Sequence, residues 1–341
     1  MDRSEHRADA GVKTPQWTIV GQGLAGTCLA WEFWKRGVDF KLLDREQGGS
    51  SRVAAGLVNP VTGKNFEPSK RIAEFLPEAL GLYQMIGNTL ERKLWHPFPV
   101  LRLADSDKEW EKILSKTSQP DVAPWILGGP MSADGWRGAI EVGGGGRLDT
   151  RTFLDKSRGF FRAAQIYQKS EFVASDEDPF TILCEGATCL IRGACGPHRC
   201  AKGEILTVRA TGWDESRIRV GAGGWMVPLG DGQFKAGSTY EWNQLDETPT
   251  EAGKQRVMEI IGRLGGGGFE ILDHEAGIRP ILRRSEPLIG PTGNGGWMFN
   301  GLGSKGSLYA PGMARKLCGW LLDGIEPEPE VDYRNFRHSS G

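Results

Sequence analysis

The residues whose types and spacing suit chemistry come first in Trp17-Thr-Ile-Val-Gly21-Gln-Gly23-Leu24-Ala25-Gly26, followed by Asp44 at the end of Phe40-Lys-Leu-Leu-Asp44. Gly21 permits a tight turn, Gly23 lets the backbone approach a pyrophosphate, and Gly26 lets a helix pack closely on a strand. A helix starting after this turn aims free N–H groups at phosphates. A carboxylate at Asp44 can accept hydrogen bonds from ribose hydroxyls. These residues therefore point to dinucleotide binding, provided that a strand precedes the glycines, a helix follows them and a second strand ends at the acid. A second glycine motif, Asn300-Gly301-Leu-Gly303-Ser304-Lys305-Gly306, lies near the other end of the chain. A simple nicotinamide dehydrogenase would not need it, whereas a long cofactor gripped from both ends of the chain would.

Other candidate chemistry is weaker. A phosphate loop of the ATP-binding kind is written G-x-x-x-x-G-K-[ST]. Here six residues separate Gly56 from Gly63, and Asn65 follows Lys64, which excludes it. The chain has six cysteines. Cys28 and Cys318 fall in expected helices. The other four form two C-x4-C pairs, Cys184/Cys189 and Cys195/Cys200, a spacing at the edge of what zinc tolerates. Leu190-Ile-Arg-Gly-Ala reads as a buried strand between Cys189 and Cys195, so these cysteines are expected to pack, with no metal site.

The elements that must position these residues follow from periodicity. Residues 17–44 read as strand, helix, strand. Residues 69–93 have a helical period, with Pro77 expected to kink or divide the helix. A charged helix is expected around Lys108 to Lys116. Another opens at Arg147-Leu-Asp-Thr-Arg151 and runs to about 164, with Asp149 or Thr150 as N-cap. Residues 165–193 alternate like strands, as do 205–209, 224–228 and 234–240 more strongly. Helices are expected at about 249–264 and 311–324. Glycine is abundant, 49 of 341 residues, which suits turns that bring backbone close to a ligand.

Composition is that of a globular chain, 39% hydrophobic and 25% charged, with a formal net charge of −1 that gives no global pull toward nucleic acid or an acidic membrane. No apolar run approaches the roughly 18 residues of a membrane span. Met1 to Gln16 is polar and lacks the apolar core of a secretion signal. The expected location is cytoplasmic.

Taken in order, the motifs resemble the D-amino-acid-oxidase-like family of FAD-dependent oxidoreductases over about residues 15–325, most similarly glycine oxidase, sarcosine oxidase and the FAD oxidase domain of the bifunctional tRNA enzyme that forms 5-methylaminomethyl-2-thiouridine. The motifs are the dinucleotide fingerprint with Asp44; Ser50-Ser51-Arg52 and Ala54-Ala55-Gly56; Gly146-Arg-Leu-Asp149-Thr150; Lys202-Gly203-Glu204; Val227-Pro228 with Gly237-Ser238-Thr239; Gly277-Ile-Arg279-Pro280 with Pro287-Leu-Ile-Gly290; and Gly301 to Gly306 with Ala310-Pro311.

The resemblance implies an α/β (mixed α+β) fold of the glutathione-reductase-like FAD superfamily: a Rossmann-like FAD-binding domain (15–80, 147–204, 275–325) intertwined with a mixed-sheet substrate domain (81–146, 205–274), with 1–14 and 326–341 as peripheral tails. It implies that Gly21, Gly23, Leu24, Ala25, Gly26 and Asp44 hold the ADP half of FAD. Arg52 and Ala54, Ala55 and Gly56 pass along the pyrophosphate toward the isoalloxazine. Val173 meets the adenine, and Gly196 takes the small-glycine turn after a core strand. Gly301, Gly303, Ser304, Lys305 and Gly306 lie at the pyrimidine edge of the flavin. FAD is expected to be non-covalent, since no cysteine or histidine can be assigned to a flavin link.

The implied chemistry is hydride transfer to flavin N5 from the carbon beside an amine, followed by hydrolysis of the imine. Arg279 is expected to grip a substrate carboxylate, the alternative being an ordinary ion pair with Glu275. Tyr240 and Trp225 are expected in the substrate pocket, the alternative being core packing. The expected substrate is a small amine or amino acid of glycine, sarcosine or D-amino-acid type. The alternative is the carboxymethylaminomethyl group of a tRNA wobble uridine, which a basic mouth of Lys64, Lys70, Arg71, Arg283 and Arg284 would favour. Oxygen or another acceptor would reoxidise the flavin, with Lys235 or Lys305 as candidate helpers. No membrane partner is expected.

Overall fold

The structure is a computed structural model that describes residues 16–172, 178–193, 195–283, 286–293 and 295–338. Two large sheets organise the chain. The first has six strands in the spatial order Tyr167–Lys169, Phe40–Asp44, Trp17–Val20, Thr181–Leu183, Trp297–Asn300 and Leu288–Pro291. All neighbours are parallel except the last pair, which is antiparallel. The helix Leu24–Lys35 makes the crossover between Trp17–Val20 and Phe40–Asp44. Its buried face meets the helix Gly306–Asp323 and the helix Thr150–Ala163. Trp31 is fully buried there, its indole N–H donating to Ser157 Oγ at 2.8 Å, so the ring's polar atom is satisfied inside an otherwise apolar contact. Asp149 caps Thr150–Ala163 by accepting from the Thr152 N–H at 3.1 Å.

The second sheet has eight strands in the order Glu270–Arg279, Ala201–Arg209, Gln233–Gly237, Gly224–Gly230, Ile218–Gly221, Val100–Ala104, Gly138–Val142 and Ile126–Met131. It is antiparallel except where Ile218–Gly221 runs parallel to Val100–Ala104. The helix Glu251–Leu264, capped by Thr250, covers it through Val257 and Ile261. The α/β architecture is thus a mostly parallel sheet wrapped by helices and joined to a mixed sheet. Residues 201–204 and 275–279, which the expected division gives to the FAD-binding part, lie in strands of the eight-stranded sheet.

Several local expectations change. Residues 187–191 form a short helix, not a strand, and Cys189 and Cys195 form a disulfide. Cys184 and Cys200 are free and buried. Pro77 lies inside the helix Ile72–Leu90 without dividing it. The last long helix begins at Gly306, so Pro311 sits within it. Among the described residues no helix is long and apolar enough to cross a membrane.

Candidate functional site

Ligands of open α/β sheets bind beyond the carboxyl ends of the parallel strands. Here Val20, Asp44, Cys184 and Asn300, at or just past the ends of four such strands, open on a cleft of about 1490 Å³. Its opposite wall comes from the eight-stranded sheet, including Gly203, Trp225 and Arg279. That volume exceeds the roughly 300–1,000 Å³ of a pocket for one drug-sized ligand and suits a dinucleotide with a second molecule beside it.

At the end of the cleft formed by the first glycine turn, Gly21 has φ +100°, and a Cβ there would come within 2.7 Å of the Cys184 carbonyl oxygen. A Cβ on Gly26 would overlap the Gly21 carbonyl oxygen, so the first turn of the helix fits the strand only with glycine at that position. Gly23, Leu24 and Ala25 line the cleft, and the Leu24 N–H donates to Ser51 Oγ at 3.1 Å. Asp44 accepts from the Gln22 N–H and the Glu46 N–H, both at 2.7 Å. One carboxylate oxygen therefore serves each backbone group, and each retains a lone pair for a further donor. Val173 lies outside the described residues. Gly196 does not line the cleft. It packs on Phe336. The glycine following the core strand Thr181–Leu183 at the cleft is Gly186 (φ +56°), whose carbonyl accepts from Asn300 Nδ2 at 2.9 Å.

Along the middle, Arg52 pairs with Asp155 at 2.7 Å and lines the cleft. The Ala54 carbonyl accepts from Thr150 Oγ1 at 3.0 Å, and Ala55 is buried. Gly56 has φ +70°, and a Cβ on it would overlap the Leu148 carbonyl oxygen. At the far end Gly303, Ser304, Lys305 and Gly306 line the cleft where the last long helix starts. Gly301 lies behind them against Leu282. Lys305 Nζ lies 3.1 Å from Ser69 Oγ and 3.4 Å from Thr62 Oγ1, and burial pushes its pKa down. Lys235 is tied down elsewhere, donating to the Val53 carbonyl at 2.7 Å and to Glu275 at 3.3 Å.

Arg279 is the buried cation of the other wall, 9% exposed. Its Nη2 donates to Ser238 Oγ at 2.6 Å and to the Thr239 carbonyl at 3.0 Å, and Nη1 donates to the Lys202 carbonyl at 3.3 Å. The guanidinium carbon stands 4.0 Å from the centre of the Tyr240 ring. A Cβ on Gly203 would overlap the guanidinium, so the sheet makes room for it with glycine. Glu275, the alternative partner, is instead engaged by Arg151 and Lys235. Among the described residues no carboxylate is within ion-pair distance of Arg279, and burial pushes its pKa down. Tyr240 and Trp225 also line the cleft, Tyr240 at 44% exposure. Sequence reasoning brought Arg279, Tyr240 and Trp225 to one wall. It missed Gly186, whose signal was a glycine three residues after the end of a strand.

The family model for DAO, the FAD dependent oxidoreductases, matches residues 16–320, and the chain belongs to that family. A tRNA 5-methylaminomethyl-2-thiouridine biosynthesis bifunctional protein from Marinobacter nauticus is 23% identical over 96% of this chain and 58% of its own length. A glycine oxidase from Pseudomonas aeruginosa is 29% identical over 37% of this chain and 35% of its own length. The chain thus spans about half the length of such curated relatives. Among solved structures, iminodiacetate oxidase from Chelativorans sp. BNC1 superposes with a TM-score of 0.74 at 19% identity, covering 91% of this chain and 95% of that one. Glycine oxidase from Geobacillus kaustophilus superposes with a TM-score of 0.74 at 18% identity, covering 92% and 96%.

Proposed function

We propose that this FAD-dependent oxidoreductase oxidises the C–N bond of a small amine carrying a carboxylate, a substrate of glycine, sarcosine or D-amino-acid type. The observation that carries the reading is Arg279, a buried cation in the cleft whose protein partners are all neutral. Burying a charge without a counter-charge is costly, so such a site calls for an anion. A guanidinium offers a planar fork that matches a carboxylate, and three bonds to fixed acceptors hold the fork in place before the ligand arrives. Tyr240 covers one face of the guanidinium, and three of its five N–H groups are engaged by the protein, which leaves two for a ligand.

The fit to FAD rests on the glycines that exclude a Cβ at Gly21, Gly26 and Gly56, on the carboxylate of Asp44 and on the volume of the cleft. When bound, FAD supplies the acceptor for the two electrons and hydrogen leaving the carbon beside the nitrogen. Gly21, Gly23, Leu24, Ala25, Gly26 and Asp44 would hold its ADP half. Arg52 and Ala54 to Gly56 would line the passage onward, with Gly303 to Gly306 at the far end. The start of the helix Gly306–Asp323 and the Lys305 ammonium place positive charge there. Arg279 orients the substrate by its carboxylate, and Trp225 and Tyr240 line the pocket beside it.

A second reading, oxidation of a carboxymethylaminomethyl group on tRNA, draws support from the Marinobacter relative, which aligns with 96% of the chain. Its substrate also ends in a glycine-like carboxylate. Against it, Lys70 pairs with Glu286, and Arg71 pairs with Glu74 and Glu328, so part of the expected basic mouth is neutralised. Arg284 lies outside the described residues.

The test is binding of glycolate and of glycolamide to the FAD-loaded protein, followed by the flavin spectrum. The carboxylate is expected to perturb the spectrum at concentrations where the amide does not. Equal perturbation by both would contradict a carboxylate site at Arg279.

A further inference from the structure

The segment 238–250 joins the strand Gln233–Gly237 to the helix Glu251–Leu264 and runs past Arg279 on the way. Its far half is pinned from below. Lys202, 1% exposed, donates to Asp246 Oδ1 at 2.8 Å and to the Thr248 carbonyl. Asp246 also accepts from Gln244 Nε2 and from the Thr248 N–H, both at 2.9 Å. From this fixed stretch Glu247 reaches the other wall, where its Oε1 accepts from the Gly49 N–H at 2.8 Å. Its second carboxylate oxygen lies so close on Gly48 that a Cβ there would overlap it. Gly48 and Gly49, both at positive φ, lead directly into Ser50 and Ser51, and Ser51 Oγ meets the Leu24 N–H at the start of the dinucleotide helix. Gly48, Gly49 and Glu247 all line the cleft. One carboxylate therefore ties a segment of the eight-stranded sheet's side to the turn beside the dinucleotide end.

We propose that Glu247 is a clasp that retains FAD: its carboxylate holds the Gly48–Gly49 turn closed across the cleft, and the cofactor leaves only when this contact opens. The inference rests on the FAD dependence of the family and not on the identity of the substrate. Glu247 is exposed, so water can compete for the bond and the clasp opens without any other element unfolding. Glycine at position 48 is required by the clasp itself, both for its φ of +60° and for the space the carboxylate fills.

The experiment is the rate of FAD release from the holoprotein after dilution, read as recovery of free-flavin fluorescence, for the unmodified chain, Glu247→Gln and Glu247→Ala. Loss of a hydrogen bond to an exposed charged acceptor predicts release at least about threefold faster for Glu247→Ala, with Glu247→Gln in between because the amide oxygen still accepts. If the alanine variant fails to accumulate, the isosteric glutamine variant, compared with Gly48→Ala, decides the matter, and both are expected to release FAD faster. Unchanged release in the variants would overturn the proposal. So would slower release or tighter binding, which would make Glu247 a competitor for the phosphates and not a clasp.

Discussion

Arg279→Lys keeps a positive charge in the cleft and removes the planar fork. In the structure the fork's position is set by Ser238 Oγ, the Thr239 carbonyl and the Lys202 carbonyl, at 2.6, 3.0 and 3.3 Å. A lysine ammonium has three rotating donors and a flexible stem, so it can reach one carboxylate oxygen but cannot hold both in a fixed plane. Losing one of two charge-assisted bonds is worth about 1.5–3 kcal/mol, or about 10- to 100-fold in kcat/KM for an amine bearing a carboxylate. Arg279→Met loses both bonds and the charge, and about 10³-fold or more is expected. Since the proposed carboxylate contact would persist from bound substrate to transition state, the larger part of the loss should appear in KM. The assay is steady-state turnover of one carboxylate-bearing amine beside the same amine as its primary amide. The lysine variant should lose its activity on the first and leave the already poor turnover of the second nearly unchanged. Equal losses on both would refute the assignment and leave Arg279 as a residue that only supports the sheet.

Further outcomes follow from individual contacts. Gly26→Ala must push its new methyl into the Gly21 carbonyl oxygen, and overpacking of this kind costs about 1–3 kcal/mol; urea unfolding should show it, together with weaker FAD retention. Burial without a carboxylate partner depresses the Lys305 pKa. The folded chain then binds fewer protons than the unfolded one between that depressed value and about 10.4, so this residue makes stability rise with pH across that window. Lys305→Met should remove the rise and stabilise the apoprotein at neutral pH, as measured by denaturation across pH 7 to 10.5 (roughly the window set by the free lysine value). Opening the Cys189–Cys195 bridge, whose sequence separation is 6, should cost about 2 kcal/mol in the chain-entropy estimate. Thermal melts with and without reductant should differ for the native chain and coincide for a variant with both cysteines changed to serine.

The strand, glycine turn, helix and second strand of residues 17–44 were legible because they are local. The turn, helix and acid fall within residues 17–44, and each glycine is dictated by a neighbour only a few residues or one strand away. The cap at Asp149, one of the two candidates, was legible for the same reason, whereas the expected start near 249 did not name Thr250 as the cap of the next helix. Leu190-Ile-Arg-Gly-Ala misled because a short apolar run fits a buried strand and a buried helix equally well, and the helix Ala187–Ile191 takes its first two residues. Pro311 suggested a helix start, but the helix begins at Gly306 after the turn that lines the cleft. Gly186 and Gly196 both follow apolar segments, and only the placement of Thr181–Leu183 beside Trp17–Val20 brings Gly186 to the cleft. The neutral surroundings of Arg279 and the reach of Glu247 depend on pairings between distant strands, such as Lys202 with Ile278, which no local pattern encodes.

The measurement that tests the central claim most directly is anaerobic bleaching of the flavin absorbance near 450 nm (about the band of oxidised flavin) in the purified FAD-loaded chain. Glycine, sarcosine, D-alanine, L-proline, unmodified tRNA and tRNA bearing carboxymethylaminomethyl groups would be added in turn. The account predicts bleaching by at least one free amino acid, lost in Arg279→Met and reversed by air. Bleaching by the modified tRNA alone, or by none of these amines while a chemical reductant still bleaches the flavin, would contradict it.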